Sequence, residues 1–151
     1  MRLFFYLFSF LLICTLLVSC KDDDPPSPEE QAIKDRQSLL ESTVWEAVRV
    51  TNNEDPVYSY YNFTLEVDDD LMTTNDQYKV FPTTRFEYVD NDPDKVRRIA
   101  DNVVMTFSDV SDSTLTISFT LDQSFDPQGG EAPEERGQQL SGNYIFVMTP
   151  L

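Results

Sequence analysis

From Val44 to the end of the chain, apolar and polar residues alternate with a period of two, interrupted at short intervals by turn formers. Leu115, Ile117, Phe119 and Leu121 alternate with Thr114, Thr116, Ser118 and Thr120. Val103, Met105 and Phe107 alternate with Val104, Thr106 and Ser108, and Tyr61, Phe63, Leu65 and Val67 with Asn62, Thr64 and Glu66. Successive side chains of a strand point to opposite faces, so this pattern describes strands with one buried face. Strands are expected at 44–51, 61–67, 71–74, 78–81, 84–89, 95–99, 103–108, 114–121 and 142–148. Asp109 to Ser113 joins two of them as a hairpin. Parallel neighbours need a crossover, usually a helix, and no intervening stretch is long and periodic enough to supply one. The expected fold is therefore mainly β: an antiparallel up-and-down barrel of about eight strands, or a strongly curved sheet.

One short helix precedes the strands. Ser27-Pro28-Glu29-Glu30 places an N-cap serine, a first-turn proline and a glutamate three residues after the cap. The helix should run to about Glu41. Its narrow stripe of Ala32, Ile33, Leu39 and Leu40 suits a lid on the domain's own core.

The first nineteen residues read as an address. After Met1-Arg2, the uncharged run from Leu3 to Val18 has the length and composition of a secretory segment. Leu17, Ser19 and Cys20 resemble the lipobox of bacterial lipoproteins. That resemblance implies cleavage between Ser19 and Cys20, and a lipid on the Cys20 thiol that holds the chain to a membrane. Multiple acyl chains are needed for stable anchoring, since each buried CH₂ contributes about 0.8 kcal/mol. Cys14 lies in the removed segment, so the mature chain keeps no free thiol for a disulfide, a nucleophile or a metal. Residues 20–28, with Lys21-Asp22-Asp23-Asp24 and three prolines, read as an extended tether, and residues 29–151 as the folded domain. The acidic run also resembles the export signal of Bacteroidota lipoproteins, which implies an outer-membrane anchor facing the cell surface. A periplasm-facing anchor is the alternative.

Composition narrows function. The 151 residues carry 27 acids against 11 basic residues, a net charge of −16, and no histidine. A Ser-His-Asp triad and imidazole metal ligands are absent by composition. The low isoelectric point of about 4.1 argues against nucleic acid, whose binding rests on cations that neutralise phosphates. No phosphate-cradling glycine loop or nucleophile-elbow motif is present. No enzyme and no cofactor is expected, and a hydrolase using two carboxylates is the remote alternative.

The helix, Val44-Trp45 after it, Thr114 to Phe119 (TLTISF) and the closing Ser141 to Phe146 (SGNYIF) together resemble the small lipocalin-like lipoproteins of Bacteroidota. The resemblance implies a barrel and no particular chemistry. Two features depart from lipocalins proper. Thr43 stands where they have glycine two residues before the tryptophan, and no Lys or Arg follows Arg136 to pack on that ring.

Candidate sites are few. Asp90, Asp92 and Asp94 alternate as calcium-loop acids do, and Asp101 falls at the twelfth position. Lys95 occupies the place of the required glycine, however, and strands flank the segment, so a solvated turn is expected and no metal site is assigned. Ser113, in Asp112-Ser113-Thr114, matches a short O-glycosylation pattern of exported Bacteroidota proteins. Trp45, Phe63, Phe86, Phe107, Phe119 and Phe146 fall on inward positions as core or as the lining of a ligand cavity. Tyr58 and Tyr60 fall on an outward phase, where aromatic rings could stack on sugars. The functional expectation is a surface binding or accessory module, partnered by an outer-membrane protein or a small ligand. The alternative is a carrier of a small apolar or aromatic molecule inside the barrel.

Overall fold

A computed structural model describes residues 25–77, 80–122 and 141–151. The signal segment, Ser19, Cys20, Tyr78-Lys79 and the insertion at 123–140 lie outside the described residues. Helix α1 (Pro28–Glu41) begins as its sequence requires. The Ser27 hydroxyl accepts from the Glu30 amide at 3.2 Å, and the Glu30 carboxylate accepts from the Ser27 amide at 2.8 Å. It ends at Ser42, whose hydroxyl donates to the Leu39 carbonyl at 2.7 Å.

The strands follow in chain order: β1 (Trp45–Asn52), β2 (Asp55–Pro56), β3 (Thr64–Asp68), β4 (Leu71–Thr74), β5 (Thr84–Tyr88), β6 (Lys95–Arg98), β7 (Val104–Ser108), β8 (Leu115–Leu121) and β9 (Gly142–Pro150). A 3₁₀ helix, Tyr58–Tyr60, lies between β2 and β3. Every pairing is antiparallel, and β3 to β9 pair in sequence. β1 then pairs with β3 on one side and with β9 on the other, which closes an eight-stranded barrel and leaves β2 as a short flap on β1. Closure removes the free strand edges that an open sheet would expose to other chains. The expected up-and-down barrel is the observed architecture.

Turn chemistry explains the tightness of the meander. Asn53 and Glu54 both have positive φ, 51° and 73°, the geometry of a two-residue hairpin loop between β1 and β2. Asp69, Asp90, Asn91, Asn102 and Asp109 also adopt positive φ, a region that Asp and Asn tolerate better than other non-glycine residues. Gly142 has φ 140°, and a Cβ there would lie 1.9 Å from Asn52 Oδ1.

α1 lies across the end of the barrel where the β3–β4 and β5–β6 turns emerge. Leu40 is fully buried. Its carbonyl accepts from the Trp45 indole nitrogen at 3.0 Å. Glu41 accepts from the Asp69 amide at 3.0 Å, and Arg36 pairs with Asp94. The helix is thus the expected lid on its own core. The opposite end is filled from within. Phe81 and Tyr60 turn inward and meet Phe63, Phe119 and Phe146 in a network of rings with centroids 4.8–5.9 Å apart. Such contacts add to the area term of burying large side chains.

Three local expectations are corrected. Val80 and Phe81 form bends, not the strand expected at 78–81, because Pro82 ends the segment and the Asp76 carboxylate takes the Phe81 amide at 2.7 Å. Tyr61 does not continue β3 inward but is 63% exposed, and Tyr60, expected outward, is 5% exposed. The cause is the 3₁₀ turn, whose period of three replaces the period of two and brings residues i and i+3 to one side. β1 also breaks alternation. Ala47 pairs with Met148 and Arg49 with Val147, so Val48 is an extra, bulged residue.

Candidate functional site

The bulge and the 3₁₀ turn meet on the outer wall. Trp45, Ala47 and Val50 point inward, so the extra residue leaves both Val48 and Arg49 facing out. On its β3-side edge, β1 has ladder partners only at Trp45-Glu46, with β3, and at Thr51-Asn52, with β2. Between these, the chain leaves the wall through Pro56 and Val57, whose amide donates to the Val50 carbonyl at 2.9 Å. It returns at Phe63, whose carbonyl accepts from the Ala47 amide at 2.9 Å. The excursion frames a shallow recess of about 70 Å³, lined by residues 47–50, Pro56, Val57, Tyr58, Tyr60 and Tyr61. Tyr58 and Tyr61 stand at its rim, 65% and 63% exposed, with centroids 5.7 Å apart and planes inclined by 37°. Val48, 53% exposed, extends the apolar surface.

Electrostatics single out Arg49. Among the described residues, Arg36, Arg85, Lys95, Arg97 and Arg98 each pair with a carboxylate. Arg49 and Lys34 do not. Arg49 is exposed and lines the recess whose rim carries the two tyrosines, so on a chain of net charge −16 it is a place where an anion gains a fork of donors.

The other candidates have structural partners. Asp94 meets Arg36. Asp92 accepts from the Asp94 amide at 2.9 Å and pairs with Lys95 at 3.1 Å, contacts that hold its carboxyl below the usual range. Asp90 is a turn residue with φ 54°. Asp101 is buried and pairs with Arg98. Among the described residues, no group of three or more acids or cysteines is placed to hold a metal ion. Ser113 is exposed in the β7–β8 turn, its amide donating to Ser111 Oγ at 3.3 Å. Trp45, Phe63, Phe86, Phe107, Phe119 and Phe146 are all buried in one core with Tyr60, and Tyr58 alone of the singled-out aromatics faces solvent.

Sequence reasoning missed Arg98. Its side chain is 0% exposed inside the barrel. Nε donates to Asp101 Oδ1 at 3.0 Å, Nη1 to the Val80 carbonyl at 2.8 Å, and Nη2 to Asp101 Oδ2. Burial pulls its pKa down from the ordinary arginine value, and Asp101 opposes that. The available signal was phase: Arg98 shares the inward register of Val96, and an acid follows three residues later.

A closed antiparallel barrel with a helical lid, a ring-filled interior and an aromatic recess on the outer wall is the class this chain defines, and it is consistent with a lipocalin-like fold. No protein-family model matches the chain, and no curated protein matches it as a relative.

Proposed function

We propose that this protein is a lipid-anchored, non-catalytic binding module of the outer membrane, displayed at the cell surface. The observation that carries the reading is the outer-wall recess, which leaves two tyrosines, Val48 and an arginine without an ion pair in solvent, while the other described aromatics are buried or half-buried. Exposed aromatic and apolar clusters on a small domain mark interaction sites. The lipobox residues around Cys20 and the acidic tether support the location. Cys20 joins the module to the membrane, and its partner is an outer-membrane protein or a small ligand. A second reading, a carrier of a small apolar or aromatic molecule, rests on the barrel fold, since eight-stranded barrels can hold one small ligand, and it requires the rings that fill this interior to part around that molecule.

Metabolic labelling with a fatty-acid analogue, with Cys20→Ser as control, tests the anchor. Label on the parent chain and its loss in the variant are expected; a parent chain that takes no label but stays in the membrane overturns lipidation. Proteolysis of intact cells then reads the membrane face, with protection pointing to a periplasm-facing anchor. Native mass spectrometry of the detergent-extracted chain separates the two binding modes. A stoichiometric apolar adduct selects the carrier, and its absence beside a retained partner selects the surface module.

A further inference from the structure

We infer that the outer-wall recess binds an acidic saccharide: a uronic-acid residue of an oligosaccharide, its ring lying on the Tyr58–Tyr61 pair and its carboxylate meeting Arg49. Three observations converge. The first is the shape of the rim. Two rings with centroids 5.7 Å apart and planes inclined by 37° stand together at the rim, each about two-thirds exposed, so that they offer an aromatic platform to a ligand. The C–H face of a pyranose is the apolar surface that such a platform accepts, and its hydroxyls stay hydrated.

The second is size. An enclosed site for one aromatic ring needs roughly 150 Å³, and this recess offers about 70 Å³. It therefore takes one face of a ring and leaves the remainder in water, as suits a residue within a longer, solvated saccharide.

The third is charge. A carboxylate is repelled by most of a surface with net charge −16. Of the described cations, only Arg49 and Lys34 lack an ion pair, and only Arg49 lines the recess. A planar guanidinium receives a carboxylate with two parallel hydrogen bonds, which selects an acidic over a neutral sugar.

The assignment rests on the chain being a binding module, but not on lipidation, so its test stands apart from the Cys20 labelling. Calorimetric titration of the full chain in detergent micelles uses trigalacturonate, with maltotriose as the neutral comparison. Trigalacturonate should bind with a Kd on the order of 0.1–1 mM, as a few exposed contacts permit. Arg49→Gln, Tyr58→Ala and Tyr61→Ala should each weaken it about ten-fold, Lys34→Gln should leave it unchanged, and maltotriose should bind about ten-fold more weakly. All three substituted positions in the recess are exposed, so folding is retained. Absence of trigalacturonate binding, equal affinity for the neutral sugar, or equal loss in Lys34→Gln overturns the inference. So does a dimer in sedimentation that Tyr61→Ala disperses while no saccharide binds, which would give this face to a second copy of the chain.

Discussion

The guanidinium carbon of Arg98 lies 4.9 Å from the ring centroid of Phe119 inside the closed barrel, with Phe81 5.5 Å away. A cation in so apolar a place is costly unless its donors are met and its charge is balanced. Asp101 balances the charge and shares the donors with the Val80 carbonyl, and it also accepts from the Val103 amide at 3.1 Å, which fixes the β6–β7 turn. Lipocalins place a basic side chain on their tryptophan. Here the buried cation sits instead on phenylalanines, and Trp45 bonds to the helix.

Removing only one member of this pair should therefore be severe. Asp101→Asn leaves a buried cation without its counter-charge and should cost about 3–5 kcal/mol in urea unfolding. Arg98→Met combined with Asp101→Asn removes the need for that charge and should recover most of the loss. An Asp101→Asn variant within about 0.5 kcal/mol of the parent chain would show that the pair is not what holds this end of the barrel.

Trp45 is the other anchor. It is fully buried, and its indole nitrogen binds the last turn of α1. Trp45→Phe removes that bond and part of the ring volume together, so a loss of about 2–4 kcal/mol is expected. Ser27→Ala, at the exposed start of the same helix, removes one cap interaction and should cost about 1 kcal/mol. Chemical denaturation of the two variants checks the order. Equal losses would mean that the lid is held by its start rather than by the tryptophan.

Much of this arrangement is legible in the chain. Strands with one apolar face, such as β7, β8 and β9, declare themselves because barrel closure buries the same face along their length, and short polar turns leave only antiparallel pairing. The capping box at Ser27 and Glu30 is equally local and equally legible. What resists reading is where the period changes. Nothing in Val57 to Tyr61 distinguishes a 3₁₀ turn from the start of a strand, so Tyr60 and Tyr61 exchange faces relative to a period of two. The Val48 bulge is set by register against β9, a partner about one hundred residues away in sequence. The recess depends on both departures, so its tyrosine pair and its arginine become neighbours only in the folded chain.

Tyr88 gives a pH signature. Burial beneath the helix pushes its hydroxyl up to about 12, Glu41 acts in the same direction, and Arg36 opposes. The folded state holds this proton more tightly than the unfolded chain, whose tyrosines titrate near 10. The resulting stability is fully present below about 10 and is lost as pH rises from there toward 12. Tyr88→Phe should flatten the fall of stability across that window, and phenolate absorbance should lose one late-titrating group. Burial also raises Tyr144, so a residual late component is expected. An equally steep alkaline loss in the variant would exclude Tyr88 as its source.

The bulge itself can be removed. Deleting Val48 leaves Trp45, Ala47, Arg49 and Val50, in which Trp45, Ala47 and Val50 recover strict alternation with Arg49 facing out. Both flanks can therefore keep their pairing with β9, and the inward set of β1 is unchanged. What is lost is the added local twist and one exposed apolar side chain of the recess. The deletion should keep a cooperative unfolding transition with a loss of no more than about 1–2 kcal/mol, within the ordinary range for single changes. It should also shift the side-chain signals of Tyr58 and Tyr61 in aromatic NMR spectra, while those of the buried Phe107 and Phe146 stay in place. A chain that fails to fold without Val48 would make the bulge a requirement of barrel closure, and unmoved tyrosine signals would separate it from the recess.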